Sequence, residues 1–454
     1  MLVNLFGQSL WRDEAYSAIL AKNSLIDIVK ITINDTMPPL YHFILHFWIK
    51  IFGFSEASLR TPSFIFYLML IAAVYFFVKE VFKSNRSALF AGVLTAVNPF
   101  IFVYAFEARM YTLLMLLSVL SMWFFLTKRW AFYVLVTVLA LYTHNFANFI
   151  VMCQLLFYLI TNGKPSIKNL IKSKFIRVVV VVGILYLPWI PTLFTQAFKV
   201  SGDFWIKKPD LYTFFVVLGQ FIKGYDHFLG VEVVVIVSVA ILIFRGIKRG
   251  RDELFYFWML LIPIVVWIIS QVGNSLFLER YLIVSTPAVP ILLATSSDNN
   301  LINRMLGKFK FGKFKVNGRN IAAIFLIIII LIMANADLYR FNHPQKEPFR
   351  ELTSYIKENL PKNQVIINYY NDRLHYFELK YYGINTKIYS PIPIPFWNGT
   401  ALIDKKDVLS KEPDQKNIIV MASQNIGDVR LPGYVLVNKV KFNDLYILWY
   451  SKNE

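Results

Sequence analysis

The chain has 454 residues and a formal net charge of +19; 57% of it is hydrophobic and only 17% charged, with a mean hydropathy of +0.51. A water-soluble globule of this size needs far more polar surface, so the composition indicates a polytopic membrane protein. The single cysteine, Cys153, lies in an apolar stretch, which excludes a disulfide framework and a thiolate metal cluster.

In chain order, residues 1–10, MLVNLFGQSL, are apolar but too short to span, and no signal-peptide n-region precedes them. With residues 1–62 read as external, a further helix upstream of Met1 is expected. QSLWRDEAYSA, residues 8–18, then sets an arginine and two acids, Asp13 and Glu14, in apolar surroundings. Adjacent acids on a helix cannot share one face, so one is expected to point at substrate while the other orients it or holds a cation. NDTMPPLYHFILHFWIKIFG, residues 34–53, reads as an interfacial helix with Asp35 or Thr36 as its N-cap. Its proline pair sits where a missing N–H is harmless.

Stretches without Asp, Glu, Lys or Arg follow at 63–78, 87–106, 110–127, 131–143, 145–163, 178–198, 254–278, 281–297 and 321–336. A weaker span lies at 230–245, and 211–222 is short enough only for a re-entrant or interfacial piece. About ten spans are therefore predicted between 63 and 337. Alternate loops differ sharply in charge: one set is rich in lysine and arginine, as at Lys164 to Arg177, and the other carries only Arg109, Lys199, Lys207, Lys208, Lys223 and Arg280. The positive-inside rule makes the first set cytoplasmic, so the basic balance is topogenic and nucleic acid is not an expected partner.

On the opposite, outer side lie Asp13, Glu14, Asp35, Glu56, Glu107, Asp203, Asp210, Asp226 and Glu279, none of them in the middle of a span. A secondary transporter would place ionisable groups near the midplane, so this distribution favours an enzyme working at the outer leaflet. EARMY at 107–111 and ERYL at 279–282 each open a span from that side, and YTHNF at 142–146 supplies His144. Arg280 beside a helix N-terminus reads as a phosphate site. Lys207 and Lys208, next to Trp205 in DFWIKKPD, could contact a lipid phosphate. Outer-face carboxylates and an imidazole are also the ligand types of a divalent ion, although their spacing specifies none.

The tail from 338 to 454 changes character. PFRELTSYIKENLPKNQVIINYY predicts an amphipathic helix, a turn and a strand, and NIIVMAS and YVLVNKVKFNDLYILWY predict further strands. The expected organisation is an external first loop over 1–62, a multi-span domain over 63–337 and a small extracytoplasmic α/β domain over 338–454.

The ordered motifs W-R-D-E-A-Y, D-T-M-P-P-L-Y-H, FGFSEASLRTPS, E-A-R-M-Y, LYTHNFA, DFWI and E-R-Y-L, spread over residues 8–297, resemble polytopic glycosyltransferases of the C superfamily (GT-C). The nearest resemblance is to the group with family 39, akin to protein O-mannosyltransferases and the lipid A aminoarabinose transferase. It implies a GT-C fold with external juxtamembrane helices, and transfer of a sugar from a polyprenyl-phosphate donor to a glycan, lipid or protein acceptor outside the cytoplasmic membrane. It also implies that Asp13 and Glu14 form the acidic motif, with Asp13 the catalytic base and Glu107 a second acid. Arg109 and Arg280, with Tyr111, Lys207 and Lys208, would meet donor phosphate; Asp35, His42, His144 and Tyr281 would bind or orient substrate. A flippase for lipid-linked saccharides and a non-catalytic membrane scaffold are the competing readings.

Overall fold

The structure, a computed structural model, describes residues 4–162, 171–202, 204–227, 229–245, 251–296, 310–311, 314–315, 318–361, 364–369, 375–396, 399–423, 429 and 431–453. Asp203 and much of the basic loops at 164–170, 246–250 and 297–309, on which the charge asymmetry rests, lie outside these. The chain forms two compact units: residues 1–60 with 340–454, and residues 61–339.

In the first unit, α1 (Arg12–Ala21), α2 (Leu25–Ile33) and α3 (Leu40–Phe52) are short helices. Ser24 caps α2 by accepting the Asp27 N–H at 3.2 Å. α3 departs from the expected start: its N-cap is Pro39, without a side-chain cap. Asp35 does not cap it because its carboxylate instead accepts the hydroxyl of Tyr16. Phe47, Ile51 and Phe52 on α3 are exposed, as an interfacial helix requires.

The tail adds a six-stranded sheet, with strands β1 (Ile366–Tyr369), β2 (Thr386–Tyr389), β3 (Val408–Leu409), β4 (Asn417–Ser423), β5 (Tyr434–Phe442) and β6 (Leu445–Lys452). Its order is β3-β2-β1-β4-β6-β5, parallel from β3 to β4 and antiparallel beyond. The period-two alternation of strands sorts side chains onto two faces. Ile366, Ile419, Met421 and Ile447 meet Phe349, Leu352 and Ile356 of the helix at 349–359 on one face. Ile367, Ile418, Val420 and Leu448 form the core of the other. The expected helix and the strands at 366–369, 417–423 and 434–452 are present. The sequence reading missed the short β2 and β3.

The second unit is helical. α4 (Glu56–Phe82) begins in the first unit and supplies its first span; α5 (Asn85–Ala96) and α6 (Pro99–Ala105) form a pair bent by 59°. The bend has a cause: Asn98 accepts the N–H groups of Phe100 and Ile101, both at 3.1 Å, and so starts a new helix. α7 (Tyr111–Leu126), α8 (Trp130–Thr143) and α9 (Ala147–Thr161) follow. Tyr133 donates to Gln154 at 2.7 Å, and Gln154 donates to Ser121 at 3.0 Å, a buried polar tie across α7, α8 and α9.

Among the described residues, four helices are long and apolar enough to cross a membrane, or up to five if the bent pair is one span; these four are 56–82, 174–200, 253–272 and 322–340. Seven further apolar helices have 10–17 residues. Several of the ten expected spans thus exist as helices shorter than a full crossing. The 16 residues of α7 rise about 24 Å, against about 30 Å of hydrocarbon. The expected short piece at 211–222 is a helix at Leu211–Lys223.

Candidate active site

The adjacent acids on α1 have different environments. Glu14 is fully buried, and Arg60, also fully buried, grips both its oxygens: Nε to Oε1 at 2.8 Å and Nη2 to Oε2 at 2.7 Å. The other guanidinium hydrogens reach backbone carbonyls, with Nη1 to Phe6 at 2.8 Å and Gln8 at 2.7 Å, and Nη2 to Ser9 at 3.0 Å. Glu14 further accepts the Trp11 N–H at 3.4 Å, tying the start of α1. Asp13 is half-buried. Of the two adjacent acids, Glu14 is thus the one held bidentately by a buried guanidinium.

Around these acids the first unit gathers Asp35, His42 and Tyr16. His42 is 2% exposed, and its ring centroid lies 6.5 Å from that of Tyr16. Phe377 of the tail packs edge-on against Tyr16 at 5.2 Å. Gly399, at φ +69°, lies so close that a Cβ there would meet the Tyr16 ring at 2.8 Å. Three more contacts fix the entry to α1: Tyr382 accepts the Leu10 N–H at 3.1 Å and donates to Glu56 at 3.0 Å, and Arg350 donates to Glu56 at 2.6 Å. The tail domain is thereby built into the acidic motif.

In the second unit, Glu107 and Arg109 are buried in the turn before α7. Ser63 donates to the Arg109 carbonyl at 3.0 Å and fixes that turn. The Arg109 guanidinium carbon lies 5.8 Å from the Tyr111 ring centroid, and that of Arg280 lies 5.9 Å from Tyr281 and 5.6 Å from Trp205. Tyr111 and Tyr281 in turn flank His144, with ring centroids 6.3 and 5.7 Å away. Arg109, Tyr111, His144, Tyr281 and Arg280 are thus brought together from three separate motifs.

One expectation for this cluster is corrected. Arg280 does not precede an α-helix: Leu282–Ser285 is a 3₁₀ turn and the α-helix begins at Ala288, so dipole support at Arg280 is weaker than expected. Lys207 and Lys208 are exposed, and Lys208 donates to the Gln271 carbonyl at 3.1 Å, while the Trp205 ring lies against Arg280. Among the described residues no group of three or more His, Cys, Asp or Glu side chains is placed to hold a metal ion.

The sequence reading assigned no role to several groups. Arg60 and Glu56 stand in the quoted FGFSEASLRTPS motif; an arginine at the mouth of an apolar span was the available signal. Tyr104 and Tyr225, with hydroxyls 2.6 Å apart, and Glu279, which accepts from Tyr225 at 3.3 Å, form a chain that spacing could not reveal.

The helical unit and the tail sheet give this chain a GT-C fold, and one family model matches part of the chain. The model of the dolichyl-phosphate-mannose-protein mannosyltransferase family matches residues 36–191. Among solved structures the chain is similar to ArnT from Cupriavidus metallidurans in the apo state, at 12% identity over 98% of this chain and 94% of that one, with a TM-score of 0.65. The same protein bound to undecaprenyl phosphate gives 12% identity, 98% and 95% coverage and a TM-score of 0.63. A sequence comparison with curated proteins gave no match.

Two outcomes test the site. Glu14→Gln leaves Arg60 buried without its counter-charge and should cost about 3–5 kcal/mol. A large drop in melting temperature in detergent is expected, whereas Asp13→Asn should melt like the wild type. Burial, and then the charges of Arg109 and Arg280, push the His144 imidazole down to about 3 from the ordinary 6.5. The unfolded chain therefore takes up a proton that the folded protein refuses, and stability present above pH 6.5 falls as the pH drops toward 3. Melting curves from pH 7 to pH 4.5 should show a shallower loss for His144→Gln.

Proposed function

We propose that this protein transfers a sugar from a polyprenyl-phosphate carrier to a hydroxyl of a glycan, lipid or protein acceptor at the outer face of the cytoplasmic membrane. The observation that carries the reading is the separation of roles within the acidic motif: Glu14 is committed to Arg60, and half-buried Asp13 is the acid suited to proton transfer. Two further facts support it. The matching family is described as using a dolichyl-phosphate sugar, and the ArnT relative has been solved with undecaprenyl phosphate.

Asp13 takes the proton of the acceptor hydroxyl as its oxygen attacks the anomeric carbon. The bond from that carbon to the phosphate oxygen breaks, and the polyprenyl phosphate leaves with the bonding pair. Arg109 and Arg280, steadied by Tyr111, Tyr281 and Trp205, oppose the charge that develops on the phosphate. A phosphate is already a good leaving group, so a second carboxylic acid is not obligatory. A single displacement inverts the anomeric configuration. Glu14 and Arg60 position Asp13, Asp35 and His42 border the acceptor side, and Glu107 orients the turn that bears Arg109.

The test uses the full chain in nanodiscs with mixed polyprenyl-phosphate sugars and an acceptor-bearing membrane extract. Mass spectrometry should record donor consumption and a matching glycosylated product. Asp13→Asn should lower turnover by about 10²–10⁴-fold while undecaprenyl phosphate still binds. Unchanged turnover in that variant would remove Asp13 as the base; a donor that binds but is never consumed would favour transport.

A further inference from the structure

The segment joining α8 to α9 fixes the hydrogen-bonding state of one imidazole. His144 is 1% exposed, and its Nδ1 accepts the backbone N–H of Phe146 at 3.1 Å. A backbone N–H can only donate, so Nδ1 carries the lone pair and the neutral ring bears its proton on Nε2. That Nε2 is buried and has no hydrogen-bond partner among the described residues. A buried donor without an acceptor is costly to keep and needs an explanation, of which a bound ligand is one.

The surroundings define the ligand. Arg109 and Arg280 both act electrostatically on the ring, and each guanidinium lies against a tyrosine that flanks the ring. A third cation here would repel the other two, and a protonated imidazole would lose its bond from Phe146. A neutral N–H donor avoids both penalties. Two guanidiniums and a single uncharged donor suit an oxyanion with several acceptor oxygens, which is the chemistry of a phosphate.

Building on the donor class assigned above, we propose that His144 Nε2–H is a fixed, uncharged hydrogen-bond donor to a non-bridging phosphate oxygen of the polyprenyl-phosphate carrier, acting beside Arg109 and Arg280. His144 neither gives up nor takes a proton in transfer. It contributes direction, whereas the arginines contribute charge.

The test compares wild type, His144→Gln and His144→Phe, each as full chain in nanodiscs, for binding of undecaprenyl phosphate, undecaprenol and inorganic phosphate. Loss of a hydrogen bond to a charged group should weaken undecaprenyl phosphate about tenfold to a hundredfold in His144→Phe. Glutamine keeps an N–H donor and should recover most of that affinity. Undecaprenol should bind all three proteins alike, and inorganic phosphate should compete against wild type at lower concentration than against His144→Phe. Equal weakening of undecaprenol places the loss in lipid packing and overturns the proposal. Equal binding of undecaprenyl phosphate by wild type and His144→Phe overturns this assignment alone, while failure of wild type to bind it overturns the donor class itself. Nitrogen-15 NMR of labelled histidine gives a reading on unaltered protein. The Nε2–H tautomer at neutral pH, with an Nε2 shift on adding undecaprenyl phosphate, is expected; an Nδ1–H tautomer or an unmoved resonance overturns the proposal.

Discussion

One guanidinium with no exposed surface organises the first unit. Arg60 meets both oxygens of Glu14 and the carbonyls of Phe6, Gln8 and Ser9. Removing two charges from water costs several kcal/mol per ion, and their attraction recovers that only when geometry and remaining hydrogen bonds are nearly complete. Here they are, and the pair fixes the chain before α1 to the start of that helix. The tail domain reinforces the same segment through Tyr382, Arg350 and Gly399.

The second unit handles charge differently. Arg109 and Arg280 lie against aromatic rings, whose faces attract a guanidinium. Between them the motifs also bring Tyr111, Tyr281 and His144 into one cluster, and burial keeps the imidazole uncharged.

Particular residues show how far the sequence could be read. The apolar runs marked the helices because lipid demands them, and the alternation of NIIVMAS marked a central strand because the two faces of a sheet see different cores. Asp35 as an N-cap was a sound local inference that lost to a tertiary partner, Tyr16. The expected helix start at Arg280 failed because the chain makes a 3₁₀ turn at 282–285 before resuming an α-helix. Lys207 and Lys208 stood beside Trp205 in sequence, yet the ring turned to an arginine some 75 residues away (280 − 205).

By itself the sequence determined a polytopic helical membrane protein with a small α/β tail, and a set of acids and arginines gathered near helix ends. Those properties follow from composition, periodicity and local order, which need no knowledge of neighbours. Only the tertiary structure decided which of two adjacent acids is spent on a buried arginine, which rings brace Arg109 and Arg280, and which nitrogen of His144 bears the proton. The Glu14–Arg60 pair spans 46 residues, Trp205 reaches Arg280 from another segment and His144 meets a backbone N–H at a turn, and burial, which makes such partners decisive, is a property of the folded chain.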